Sequence, residues 1–190
     1  MAQYPSLFAA AFFFASNSVF GSEVFFSPKG GASDAIIKRI NLSRQEIDVV
    51  VYSFTSGAIA EALANAYKRG VKVYVIMDAV QSTNKNAEDE FLESKGIPLH
   101  HLSGIGRGIM HDKFAIFDRR EMVTGSYNWT KNAEDNNYEN ALLLEDKGLV
   151  DAYVEEFNRL WRIPEKTIEK KISSTRKSNG KGKALTAWKY

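Results

Sequence analysis

The 190-residue chain contains no cysteine. That excludes disulfides, a cysteine nucleophile and zinc–thiolate centres. It leaves the compartment open, because a cysteine-free chain folds under either redox regime. Histidine is scarce: His100, His101 and His111 are the whole supply. Clustered carboxylates of the kind that hold two metal ions are missing, as are internal repeats. After residue 21, no stretch is long and apolar enough to span a bilayer.

The basic and acidic residues are unevenly placed. Residues 165–190 carry eight Lys/Arg against two Glu, a charge of +6, whereas residues 22–164 carry 17 against 21, a charge of −4. The C-terminal segment therefore reads as a basic, flexible tail that can attract polyanions without reading a sequence; a solvated terminus is the simpler alternative. At the other end, residues 7–15 read LFAAAFFFA. This run is too short to cross a membrane but suits the apolar centre of a secretory signal. Val19 and Gly21 are small residues before a cleavage point at Ser22, although no Lys or Arg precedes the run. The expected organisation is a signal peptide over 1–21, a catalytic domain over 22–164 and the tail over 165–190. The exported product would not insert stably in a membrane.

Hydrophobic periodicity predicts an α/β domain with helices covering a mixed sheet. A helix over Ala32–Leu42 follows Gly30 and Gly31, with Ser33 or Asp34 able to cap it. The β-branched run Ile47–Tyr52 reads as a central strand. Ser56–Arg69 is a second helix, ended by Gly70, and Val71–Met77 a second strand. This strand–helix–strand unit predicts a right-handed parallel crossover. A polar loop and a short helix lead to an edge strand over Pro98–Leu102. Phe114–Phe117 and Glu121–Thr124 form a hairpin around the turn at Asp118. Asn137–Leu144 is a further strand and Lys147–Trp161 an amphipathic helix.

The chemistry concentrates in GIMHDKFAIFD (108–118) and the following GSYN (125–128). Strand periodicity puts His111 and Lys113 on one face. A histidine of near-neutral pKa can attack or donate a proton. A lysine two residues away favours a bound phosphate and opposes protonation of the ring. Ser126 and Asn128 repeat the two-residue spacing, and Gly125 permits close backbone approach. A hydroxyl, an amide and N–H groups suit phosphoryl oxygens. Each piece alone is common in turns and surface strands; their joint spacing is not.

The set His111-x-Lys113, Asp118, Gly125-Ser126-x-Asn128 resembles the signature of the phospholipase D superfamily, the HKD motif. With one motif in a short chain, it resembles the small secreted or periplasmic bacterial endonucleases of that superfamily, over roughly residues 24–164. The resemblance implies a phospholipase D-like mixed sheet. It implies His111 as the nucleophile that becomes a phosphohistidine, with Lys113, Ser126 and Asn128 on the phosphate and Gly125 allowing close approach beneath it. Asp118 would be a structural anchor, and Glu139 would orient the histidine through its other ring nitrogen.

Cleavage through a covalent histidine also needs an acid for the leaving oxygen. His100 and His101 lie on another strand with no phosphate-binding pattern beside them, and a metal site built on the three histidines is set aside. Members with one motif pair two chains about a two-fold axis, so a homodimer is expected, with one His111 as nucleophile and the other as general acid. No metal and no cofactor are expected. The expected function is a metal-independent endonuclease of low sequence preference, acting on DNA and also RNA, with Arg107 and Lys131 extending a backbone track. The alternatives are a phospholipase D acting on lipid headgroup diesters, which needs an apolar entrance, and a non-enzymatic dimer that binds nucleic acid.

Overall fold

A computed structural model describes residues 21–164. The signal peptide and basic tail expected from the sequence lie outside these residues. The described chain builds one seven-stranded mixed sheet, ordered β1-β7-β6-β5-β2-β3-β4. Its strands are β1 (Glu23–Ser27), β2 (Glu46–Val51), β3 (Lys72–Asp78), β4 (Leu99–Leu102), β5 (Lys113–Phe117), β6 (Glu121–Gly125) and β7 (Glu139–Leu144). The helices are α1 (Ala32–Leu42), α2 (Gly57–Lys68), α3 (Asp89–Ser94), α4 (Lys131–Asp135) and α5 (Lys147–Trp161). The α/β class and the mixed, helix-flanked sheet agree with the sequence reading.

The centre of the sheet follows from composition. β2 is a run of β-branched residues, and Ile47, Val49, Val50 and Val51 have no exposed surface. Burying each such side chain contributes roughly 1.5–3 kcal/mol. β2 pairs in parallel with β3 through the α2 crossover, and β3 in parallel with β4. β6 runs antiparallel to both of its neighbours, β5 and β7, and β5 runs antiparallel beside β2. One core packs Ile36 and Ile40 of α1 and Ile59 and Leu63 of α2 against one face. On the other face, α5 contributes Val150, Phe157 and Leu160 to a second core.

Two local expectations are corrected. Neither Ser33 nor Asp34 caps α1: the cap position is Gly31, in the left-handed region at φ 84°, and no side chain caps it. The Ser33 N–H donates instead to Glu134 Oε2 at 3.3 Å. β5 begins at Lys113, so His111 precedes the strand rather than sharing its alternation. Two elements, β1 and α4, were not anticipated. β1 is a half-exposed edge strand, and α4 has only five residues, begun by Thr130 accepting the Ala133 N–H.

Candidate active site

The sheet brings distant segments together at one edge. β5 starts where β2 ends, with Lys113 opposite Val51. β6 ends at Gly125, opposite Ala141, two residues after the start of β7. The result is an open cleft of about 400 Å³ whose walls include His111, Lys113, Gly125, Ser126, Asn128 and Glu139. Six residues drawn from three strand ends and the loops beside them thus meet in one place.

His111 is exposed at the cleft, with its ring 4.5 Å from that of Tyr52. Its pKa is held below the ordinary histidine value, first by partial desolvation and then by the Lys113 charge, against opposing pulls from Asp112 and Asp78. The ring is therefore predominantly neutral near pH 7, as an attacking imidazole must be. Lys113 is 8 % exposed. Its ammonium donates to the His111 carbonyl at 2.6 Å and lies 5.0 Å from the Tyr52 ring centroid. Burial lowers its pKa, while the Asp112 and Glu139 carboxylates oppose the fall.

Gly125 has φ 152°, and a Cβ there would collide with the Asn140 carbonyl. The close approach this glycine permits is thus between β6 and β7. The Ser126 hydroxyl oxygen accepts from the Asn140 N–H at 3.1 Å, which leaves its own proton free to donate into the cleft. The Oδ1 of Asn128 is buried without a hydrogen-bond partner among the described residues. Glu139 accepts from Asn137 Nδ2 at 3.1 Å and makes no hydrogen bond to His111 of the same chain.

Asp118 stands away from the cleft. With φ 52° it turns the β5–β6 hairpin. Its carboxylate accepts the backbone N–H groups of Arg44, Gln45 and Glu46 at 2.7–3.1 Å, tying the hairpin to the start of β2. Lys131 pairs with Asp135 and lines a different depression, beside Ser56 and Tyr127. Arg107 is exposed in the loop before His111 and is not among the cleft-lining residues. The other two histidines serve the fold: His100 Nε2 meets the Ile163 carbonyl at 2.8 Å and His101 Nε2 meets Asp89 at 3.3 Å. Among the described residues, no group of three or more His, Cys, Asp or Glu side chains is placed to hold a metal ion.

Sequence reasoning missed Thr124 and Tyr153, which also line the cleft. Their hydroxyls lie 3.3 Å apart, and the Tyr153 ring meets Phe114 edge-on at 4.9 Å. Tyr153 falls on the apolar stripe of α5, so periodicity alone marks it as core.

Comparison with known proteins places this arrangement. The family described as "Cardiolipin synthase, PLD-like domain" matches residues 36–161. Mitochondrial cardiolipin hydrolase of Canis lupus familiaris is 34% identical over 135 residues, covering 70% of this chain and 52% of that protein. Phospholipase D of Rickettsia prowazekii is 33% identical over 132 residues, covering 68% of this chain and 62% of its own length. The chain thus spans between half and two thirds of the length of these relatives. Among solved structures, a phospholipase D family member, Nuc from Salmonella typhimurium, superposes with a TM-score of 0.69 at 33% identity, over 74% of this chain and 93% of the other.

Proposed function

This chain belongs to the family of phospholipase D-like domains, and from that premise we propose that it hydrolyses phosphodiesters through a covalent phosphohistidine on His111. The observation that carries the reading is the meeting of His111, Lys113, Ser126, Asn128 and Glu139 around one cleft. In the first step a ring nitrogen of neutral His111 attacks phosphorus, forming a P–N bond as the P–O bond to the leaving alcohol breaks. Lys113 and the Ser126 hydroxyl stabilise the negative oxygens. The leaving oxygen takes its proton from a second imidazole on the opposite side. Water then attacks the phosphohistidine, giving its proton to that second imidazole and restoring His111.

Within the described chain no second imidazole lines the cleft, because His100 and His101 are committed elsewhere. A two-fold partner supplies one from the same sequence position. It also gives Glu139 a role: not bonded to its own His111, its carboxylate is available to orient the partner's ring. The active unit in this reading is a homodimer with one composite site and no metal or cofactor.

For the substrate we favour a phospholipid headgroup diester. The names of the cardiolipin hydrolase and phospholipase D relatives support it. So does apolar surface beside the cleft residues. Ile109, two positions before His111, is 48% exposed; Tyr138, next to Glu139, is 93% exposed; Phe26, paired in register with Asn140, is 63% exposed. This reverses the order suggested by sequence alone, which puts nucleic acid first. Nucleic acid is the second reading, supported by the +6 charge of residues 165–190. The apolar run at residues 7–15 supports export, to a periplasm or to the medium.

The test uses the purified protein in excess EDTA. Cardiolipin/phosphatidylcholine vesicles and supercoiled plasmid are incubated separately, each with His111→Ala in parallel. Headgroup release by the wild type alone is expected. Plasmid nicking with intact lipid would move the assignment to the second reading. Turnover that survives in His111→Ala would overturn the mechanism for both.

A further inference from the structure

We propose that Tyr52 and Asp78 are positioning residues that seat the His111 imidazole, with the Tyr52 ring fixing its plane from within the same chain. The proposal rests on the reading of His111 as nucleophile and adds residues outside the motif.

The seat is a closed ring of contacts. Asp78 ends β3 and is fully buried. Its Oδ2 accepts the N–H of Met110, the residue before His111, at 3.0 Å. Its Oδ1 accepts the N–H groups of Val80 and Gln81, both at 3.0 Å. The Gln81 side chain in turn donates to the Tyr52 hydroxyl at 2.9 Å. The Tyr52 ring packs on the imidazole at 4.5 Å, tilted by 55°. The Tyr52 N–H closes the circle by donating to the carbonyl of Asp112, the residue after His111, at 2.9 Å.

Both neighbours of His111 are therefore clamped by strand ends distant in sequence, although His111 itself lies outside the strand. A buried carboxylate with its lone pairs taken by backbone N–H groups is a strong tether, because losing it leaves several donors unpaired. An aromatic ring against the imidazole restricts its rotation without consuming either ring nitrogen. One nitrogen stays free to attack and the other to meet the partner's carboxylate. The same phenyl ring also meets the Lys113 ammonium, 5.0 Å from its centroid. A reacting group must be held to within about 0.5 Å of its productive position, and Asp78 and Tyr52 supply that restraint, one through the Met110 backbone and the other through ring contact.

The experiment compares Tyr52→Leu and Tyr52→Phe in the full chain, by steady-state kinetics on bis(p-nitrophenyl) phosphate and by NMR titration of the histidine rings. His100 and His101 serve as internal controls. We expect Tyr52→Leu to lower kcat about 30- to 100-fold with KM within about threefold. Tyr52→Phe, which keeps the ring, restores kcat to within about threefold. In Tyr52→Leu the His111 titration moves upward as water reaches the ring, while the two control histidines stay in place. A Tyr52→Leu protein with unchanged kcat and unchanged His111 titration would overturn the proposal. So would a Tyr52→Phe protein as impaired as Tyr52→Leu. The titration needs no turnover, so the seat is judged separately from the catalytic reading, which alone fails if His111→Ala stays active.

Discussion

At the scale of single residues, the decisive quantity is the protonation of His111. Partial desolvation and the Lys113 charge both hold its pKa down. The nucleophile should thus remain competent below the ordinary histidine pKa of about 6.5. The acid limb of log kcat/KM against pH is expected below that value. Lys113→Met removes one of the two depressing influences, so the limb should move upward. It also removes a positive charge from the phosphoryl oxygens, and turnover should fall roughly 10²- to 10³-fold. A pH–rate series on the two proteins checks both expectations; a limb that stays put in the variant would separate Lys113 from the histidine. The motif itself was legible because His111, Lys113, Ser126 and Asn128 sit at fixed spacings along the chain. Tyr52, Asp78, Thr124 and Tyr153 were not, since each reads locally as strand or core: pairing of β2 with β3 and β5 brings Tyr52 and Asp78 beside the His111 segment, while pairing of β5 with β6 and packing of α5 bring Thr124 and Tyr153 to the cleft.

At the scale of elements, Asp118 and Asp48 govern how β2 is held. Asp118 takes three backbone N–H groups at the start of β2. Asp118→Ala leaves them without that acceptor and should cost about 1–3 kcal/mol. The loss is read as a lower denaturant midpoint with an unchanged m-value. Asp48 is 2 % exposed in the middle of β2, and its pKa is raised to about 7, chiefly by burial and then by Glu46, with Arg119 opposing. The folded state therefore holds this proton more tightly than the unfolded chain does. The associated stability is complete below about pH 4 and is lost as the pH rises through 7. Asp48→Asn, which carries no titrating proton, should flatten that decline and stabilise the protein by about 1–3 kcal/mol at pH 8. Equal pH slopes for the two proteins in urea unfolding would contradict this. The helices and strands with strong periods, such as α1, β2 and α5, were readable from sequence to within a residue or so. The bounds of α1 were read correctly but its cap was not, because Gly31 stands at the cap position and Glu134, from a distant element, takes the Ser33 N–H. β1 stayed hidden because an edge strand with Val24 and Phe26 exposed carries little burial pattern.

At the scale of the whole molecule, the proposed chemistry needs two chains. One chain supplies a nucleophile, an ammonium, a hydroxyl and an amide to the cleft, but a single imidazole. Mixing active chains with an excess of His111→Ala chains should therefore reduce activity faster than dilution, as inactive heterodimers form. No helix among the described residues is long and apolar enough to cross a membrane. The exposed Ile109 and Tyr138, near cleft residues in sequence, are expected to meet either a lipid substrate or the second chain. Nothing in the sequence distinguishes these fates, because exposure is a property of the folded surface.

The composite site is tested most directly by the pre-steady-state burst of p-nitrophenolate from bis(p-nitrophenyl) phosphate, with acid-quenched protein mapped for phosphohistidine. A burst of one equivalent per two chains is expected, with the phosphoryl group on His111. A burst of one equivalent per chain, or a phosphoryl group on any other residue, would contradict it.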